Sequence, residues 1–133
     1  MPSTEAHLAQ ADHNKQFLAE FPSADKYRDW FVTVCFYTAL HFVDAALANI
    51  GEDPQNHEHR HAILNRFRGQ PHYARLRPHY RRIEDISRQA RYQCAHITEQ
   101  QVRCVAETDL AAVEKWVRWQ LGEGELYDRR DRF

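Results

Sequence analysis

From Trp30 to Leu47 the chain reads WFVTVCFYTALHFVDAAL, and no helical wheel divides these eighteen residues into an apolar side and a polar side. A helix that is apolar almost all round has two homes, a membrane or the centre of a bundle. Thr33, Thr38, His41 and Asp44 interrupt this run. A charge at membrane depth costs several kcal/mol, so the run is expected to form a central helix packed on several sides. No membrane partner is expected. The chain offers no period-two alternation and no hairpin signal. The expected fold class is therefore all-α, an antiparallel bundle of four to five helices.

The remaining helices follow from their own punctuation. With 133 residues the chain suits one domain, placed here at 1–122, followed by a charged tail at 123–133. A first helix is expected over Thr4–Ala19, ended by Pro22. Ser23 is placed to cap the central helix, which Asn49–Gly51 stop. A shorter helix spans about His57–Phe67, and Gly69–Pro71 break it. Pro78 is read as the opening residue of a fourth helix. Thr98 followed by Gln101 is a capping box that starts a fifth, ended by Gly122 and Gly124. Helical spacing of apolar residues predicts burial of Trp30, Phe31, Val34, Phe42, Ile83, Ile86, Val113 and Trp116.

A net charge of −1 conceals a strong partition. Residues 1–58 carry nine acids and three bases; residues 59–103 carry ten Arg, no Lys and three acids; residues 104–133 carry seven acids and five bases. An arginine-only block suits forked recognition of phosphate or carboxylate. The same arginines can instead pair with the acidic flanks across the bundle, and the sequence leaves both readings open. Cys35, Cys94 and Cys104 make no CxxC pair and no disulfide framework. The N-terminus has no basic-plus-apolar leader, so a cytoplasmic protein is expected.

The segment Ser87–Thr98, SRQARYQCAHIT, holds the residues best suited to chemistry. On one continuous helix Arg91 and His96 are turned roughly 140° apart. The Thr98 cap requires the chain to leave the preceding helix between Gln93 and Ile97, and such a break can return His96 towards Arg91. A converging Arg and His suit phosphodiester cleavage by a 2′-hydroxyl: the imidazole moves a proton near neutral pH, and the guanidinium holds the growing phosphate charge. No metal or other cofactor is needed.

With RYQCAH, that is Arg91, four residues and His96, the chain resembles the HEPN superfamily of helical-bundle proteins, whose signature is Arg, four to six residues, then His. The resemblance extends over roughly residues 5–120 through ALHFVDAAL, HEHRHAILNRF and PHYRRIEDISRQARYQ. It implies a homodimer that pairs two such motifs in one cleft. It also implies metal-independent endoribonuclease activity of the toxin or defence-effector type, with RNA or a nucleotide as ligand and an antitoxin or other protein as partner. Arg91 and His96 would be catalytic. One departure stands out: active members usually place a small polar residue after the Arg, and this chain has Tyr92. An inactive nucleotide- or protein-binding module is the alternative.

Further candidates surround the motif. Tyr37, His41 and Asp44 share one face of the central helix and form a polar stripe on it. That stripe is expected either to line the Arg91 cleft or to fix bundle register through buried hydrogen bonds. Asp44 is also a candidate ion-pair partner for Arg91. Tyr92, Arg60 and Arg88 are read as substrate-binding with Tyr37, His41 and Asp44. His57 and His61, four residues apart, can supply half a zinc site, but no third ligand at a sharp spacing supports one, and no metal is expected. A surface role, or a phosphate contact shared with Arg60, is the expectation for these histidines.

Overall fold

The computed structural model describes residues 1–21 and 25–123, and among these it is an all-α helical bundle. The helices are α1 (Thr4–Ala19), α2 (Arg28–Asn49), α3 (His57–Arg66), α4 (Pro71–Tyr92), α5 (Glu99–Arg103) and α6 (Ala111–Arg118). A π-helical stretch, Cys104–Leu110, joins α5 to α6 without leaving helical dihedrals. A second one, Trp119–Glu123, follows α6, and Gly122 adopts φ 96° within it. The tail at 124–133, with Gly124, and the expected stop and cap at Pro22 and Ser23 lie outside the described residues.

The apolar run becomes the axis of the bundle. α1, α4 and α6 all pack on α2, and Val32, Cys35, Phe36, Ala39, Phe42, Val43, Ala46 and Leu47 are fully buried. By length and composition α2 could cross a membrane, but most of that apolar stretch is covered by its neighbours. Burial pushes the Cys35 thiol up to about 12, so it is an inert core residue. From the other helices Ile63, Leu64, Tyr73, Leu76, Tyr80, Ile83, Val113 and Val117 complete the core.

Two expectations need correction. α4 opens seven residues earlier than the sequence suggested, with Pro71 rather than Pro78 in its first turn. Pro78 sits inside the helix and forgoes the bond to the Ala74 carbonyl, a loss of about 3 kcal/mol in an exposed helix. Tyr73 and Leu76 before it and Tyr80 and Ile83 after it are all buried, and this packing holds the helix through the proline. The second correction is Trp30, which is 61% exposed. It stands on the side of α2 that also carries Tyr37 and lines an open cleft, while Val32 two residues on is fully buried. Phe31, Val34, Ile86 and Trp116 are half-buried rather than buried, while Phe42, Ile83 and Val113 are in the core.

Asp44 is the carboxylate that α2 carries into the interior. Arg60 of α3 meets it with a fork, Nε donating to Oδ1 at 2.7 Å and Nη2 to Oδ2 at 3.0 Å. Both side chains are under 10% exposed. Breaking such a pair from one side leaves a buried charge, which costs roughly 3–5 kcal/mol, whereas replacing both members by apolar groups is often neutral. Arg60→Met is expected to lower the urea midpoint by the equivalent of that cost, and Asp44→Leu/Arg60→Met to recover most of it.

Candidate functional site

The site is built where the last turns of α4 meet the first turns of α2. α4 ends at Tyr92, and Cys94 then adopts φ 50°, a left-handed conformation unusual for a residue with a Cβ. The Ala95 amide reaches back to the Gln89 carbonyl at 3.4 Å. At the other end of this loop the Thr98 hydroxyl accepts from the Gln101 amide, and the Gln101 side chain accepts from the Thr98 amide, completing the capping box. Between these anchors, Arg28 Nη1 donates to the Ile97 carbonyl at 3.3 Å, tying the loop to α2. The break expected between Gln93 and Ile97 is present.

Arg91 is held without a carboxylate. Its Nε donates to the Ser87 carbonyl at 3.3 Å, one Nη to Ser87 Oγ at 3.2 Å, and the other to the Tyr37 hydroxyl at 3.3 Å. Its guanidinium lies 5.1 Å from the Phe36 ring centre, 5.8 Å from Tyr37 and 5.0 Å from Tyr92. Such stacking is worth about 0.5–1 kcal/mol where water reaches it, less than a forked bond to an anion. Arg91 is thus positioned while its charge is left uncompensated. It lines a cleft of about 320 Å³ with Trp30, Thr33, Tyr37 and Asp29. Three exposed aromatics, Trp30, Tyr37 and Tyr92, stand around the guanidinium or its cleft.

His96 is exposed on the loop and lines a neighbouring cleft of about 400 Å³ with Asp25, Lys26, Arg28 and Cys94. The two clefts share Asp29 and Ala90. Within one chain, therefore, Arg91 and His96 occupy adjoining hollows, and no hydrogen bond joins them.

The other candidates divide. Tyr37 belongs to the Arg91 cleft. His41 turns to α1, where its Nδ1 is 3.1 Å from that of His7, and burial followed by the His7 charge lowers its pKa. Asp44 is taken by Arg60, not by Arg91, so the polar stripe of α2 serves two places: Tyr37 the cleft, Asp44 the buried pair. Arg88, half-exposed, stands 3.7 Å from Glu84, whose Oε1 is also 2.8 Å from His61 Nε2. Among the described residues no group of three or more His, Cys, Asp and Glu is arranged to hold a metal ion.

His57 is exposed at the start of α3, with its Nδ1 3.4 Å from Arg60 Nη1. Its ring packs 5.6 Å from that of Phe36, on which Arg91 also rests. Partial burial, then the Arg60 guanidinium, hold its pKa below the usual imidazole value; Arg91 and Arg88 act the same way and Glu84 opposes them. The surface position of His57 and its closeness to Arg60 agree with the sequence reading; nothing in the sequence pointed to the Phe36 ring, twenty-one positions earlier.

No protein-family model, curated protein or solved structure matches this chain.

The charge arrangement makes a prediction. Removing Arg91 removes one of the charges that disfavour the His57 imidazolium, so Arg91→Gln is expected to raise the His57 pKa. NMR titration of the His57 ring resonances in both proteins measures it. A value unmoved by the substitution would separate the two residues electrostatically.

Proposed function

We propose that this protein is a HEPN-like RNA-binding protein that cleaves single-stranded RNA without a metal ion, acting as a homodimer. The observation that carries the reading is the state of Arg91: a guanidinium held by Ser87 and Tyr37, framed by exposed aromatic rings, with no carboxylate on it. Bases stack on such rings irrespective of sequence, and a phosphate satisfies such a guanidinium. His96 in the adjoining cleft is the proton-transfer group. The 2′-hydroxyl attacks phosphorus as the His96 imidazole takes its proton, Arg91 holds the charge on the phosphorane, and as the P–O5′ bond breaks the departing 5′-oxygen takes a proton from the imidazolium so formed. The products are a 2′,3′-cyclic phosphate and a 5′-hydroxyl. Because Arg91 and His96 line separate hollows in one chain, a second copy packed over this face is what brings them to one phosphate. A toxin or defence role, with an antitoxin or other protein as partner, belongs to this reading.

A second reading has its own observation. Tyr92 follows the arginine, is 72% exposed and stacks on Arg91. If the ring keeps the scissile phosphate away, the same face is an inactive module that binds a nucleotide, RNA or a protein partner.

Cleavage of labelled single-stranded RNA decides between them. His96→Ala is expected to lower the rate by about 10²-fold or more, the range for loss of general acid–base catalysis. Arg91→Lys is expected to do the same, because an ammonium keeps the charge and loses the fork. EDTA is expected to have no effect, DNA to resist, and light scattering to give a dimer. Salt-dependent RNA binding by a wild-type protein that cuts nothing establishes the inactive module instead.

A further inference from the structure

Half of the arginines in the basic block have no carboxylate partner. Arg60, Arg66, Arg82, Arg88 and Arg103 each meet one, whereas Arg68, Arg75, Arg77, Arg81 and Arg91 meet none among the described residues. Arg75 stacks on Trp116 instead. Of the rest, Arg77, Arg81 and Arg91 lie on α4, and together with Arg88, which keeps a 3.7 Å contact to Glu84, they fall within an arc of about 80° at about 100° per residue, in a row about 21 Å long. Glu84 lies on the same arc, but its carboxylate is buried and engaged by His61 and Arg88, so it does not break the row at the surface.

At the end of the row far from Arg91, a cleft of about 570 Å³ opens beside Pro78, lined by Arg68, Arg77, Arg81, Arg82 and Asp85. Four guanidiniums face one carboxylate there. Arg82 is committed to Asp109. Arg68 and Arg77 are tethered through uncharged groups, the Asn65 carbonyl at 2.9 Å and its side-chain oxygen at 3.1 Å. The Arg81 side chain makes no hydrogen bond or ion pair among the described residues. Burial, and then the charges of Arg81 and Arg68, lower the Arg77 pKa. Like charges that outnumber their counter-charge favour an arriving anion, and guanidiniums set in a row along a rod suit a row of phosphates.

We propose that Arg77, Arg81 and Arg88, with Arg68 at the far end, form a phosphate track along α4 that holds the backbone of single-stranded RNA leading to or from Arg91. The track rests on the RNA reading above, and extends it from one phosphate to a strand of several nucleotides.

The test is fluorescence anisotropy over a range of salt concentrations, with RNA of 2′-O-methyl riboses so that nothing is cut. One strand has about 12 nucleotides and reaches the track; the other has about 3 and fills the Arg91 cleft alone. Arg77→Gln/Arg81→Gln is expected to reduce the log–log salt slope for the long strand by about 1.4, two contacts at about 0.7 each on single strands. Affinity for the short strand is expected to stay unchanged. Arg81→Gln alone, at a residue with no contact to lose, is expected to give half the effect with an unaltered melting curve. Arg75→Gln, on the opposite side of α4, is the control and is expected to keep the slope. An unchanged slope in the double variant overturns the track and leaves the Arg91 site standing. Equal loss for short and long strands also overturns it. Wild-type protein that binds neither strand overturns the track together with the reading it rests on. If that protein instead binds phosphatidylserine vesicles through Arg77 and Arg81, the cleft belongs to a membrane surface.

Discussion

A carboxylate on a helix otherwise built for burial has to be answered, and the answer organises this molecule. Asp44 lies on α2, whose other inward positions are apolar except Thr33 and Thr38, which donate to carbonyls of their own helix, and Arg60 supplies a fork from α3. α3 is only ten residues long, too short to be stable alone. Its hold on the bundle is this ion pair together with Ile63 and Leu64. A buried ion pair is weak evidence for net stability, because desolvation offsets the attraction. What it does supply is register. With Arg60 docked on Asp44, the first residue of α3 is brought to Phe36, and His57 comes to the ring that also carries Arg91.

The second organiser is the end of α4. Residues 93–98 are confined by the backbone bond to Gln89, the Arg28 bond to Ile97 and the Thr98 capping box. This loop is a well-determined connection despite its exposure. It places His96 beside Asp29 and Ala90, at the rim of the Arg91 cleft. α2 thereby serves two purposes. Its middle forms the core, and its first three turns present Trp30, Thr33 and Tyr37 to the cleft.

Much of the fold could be read from the chain because its signals are local. The bounds of α1, the capping box at Thr98 and the burial of most of α2 each follow from residues within a few positions of one another. Pro78 misled because a proline commonly opens a helix, and only the buried Tyr73, Leu76, Tyr80 and Ile83 around it reveal that tertiary packing overrides the local preference. Trp30 misled because hydrophobicity predicts burial without showing which side of the helix is left open, and Trp30 shares the cleft side with Tyr37. At the site, the loop break was legible from the cap, and the Tyr37–Arg91 bond was anticipated only as a shared cleft. The partner of Asp44 was open between Arg91 and a buried network, since sixteen positions separate it from Arg60 and spacing alone cannot pair them. The contact of His57 with Phe36 was legible least of all, because that ring lies on another helix.

The claim most in need of a direct test is that the face formed by Arg91, its aromatic frame and the His96 loop receives RNA. Two-dimensional NMR of the labelled protein, titrated with a short non-cleavable single-stranded RNA, reads this residue by residue. The account predicts that the largest shifts fall on the Arg91 side-chain Nε, the Trp30 indole, the amide of Tyr37 and the amides of residues 93–97, with the Arg60 Nε unmoved in its buried pair. Saturable shifts confined to another face of the bundle, or none at all, would contradict it.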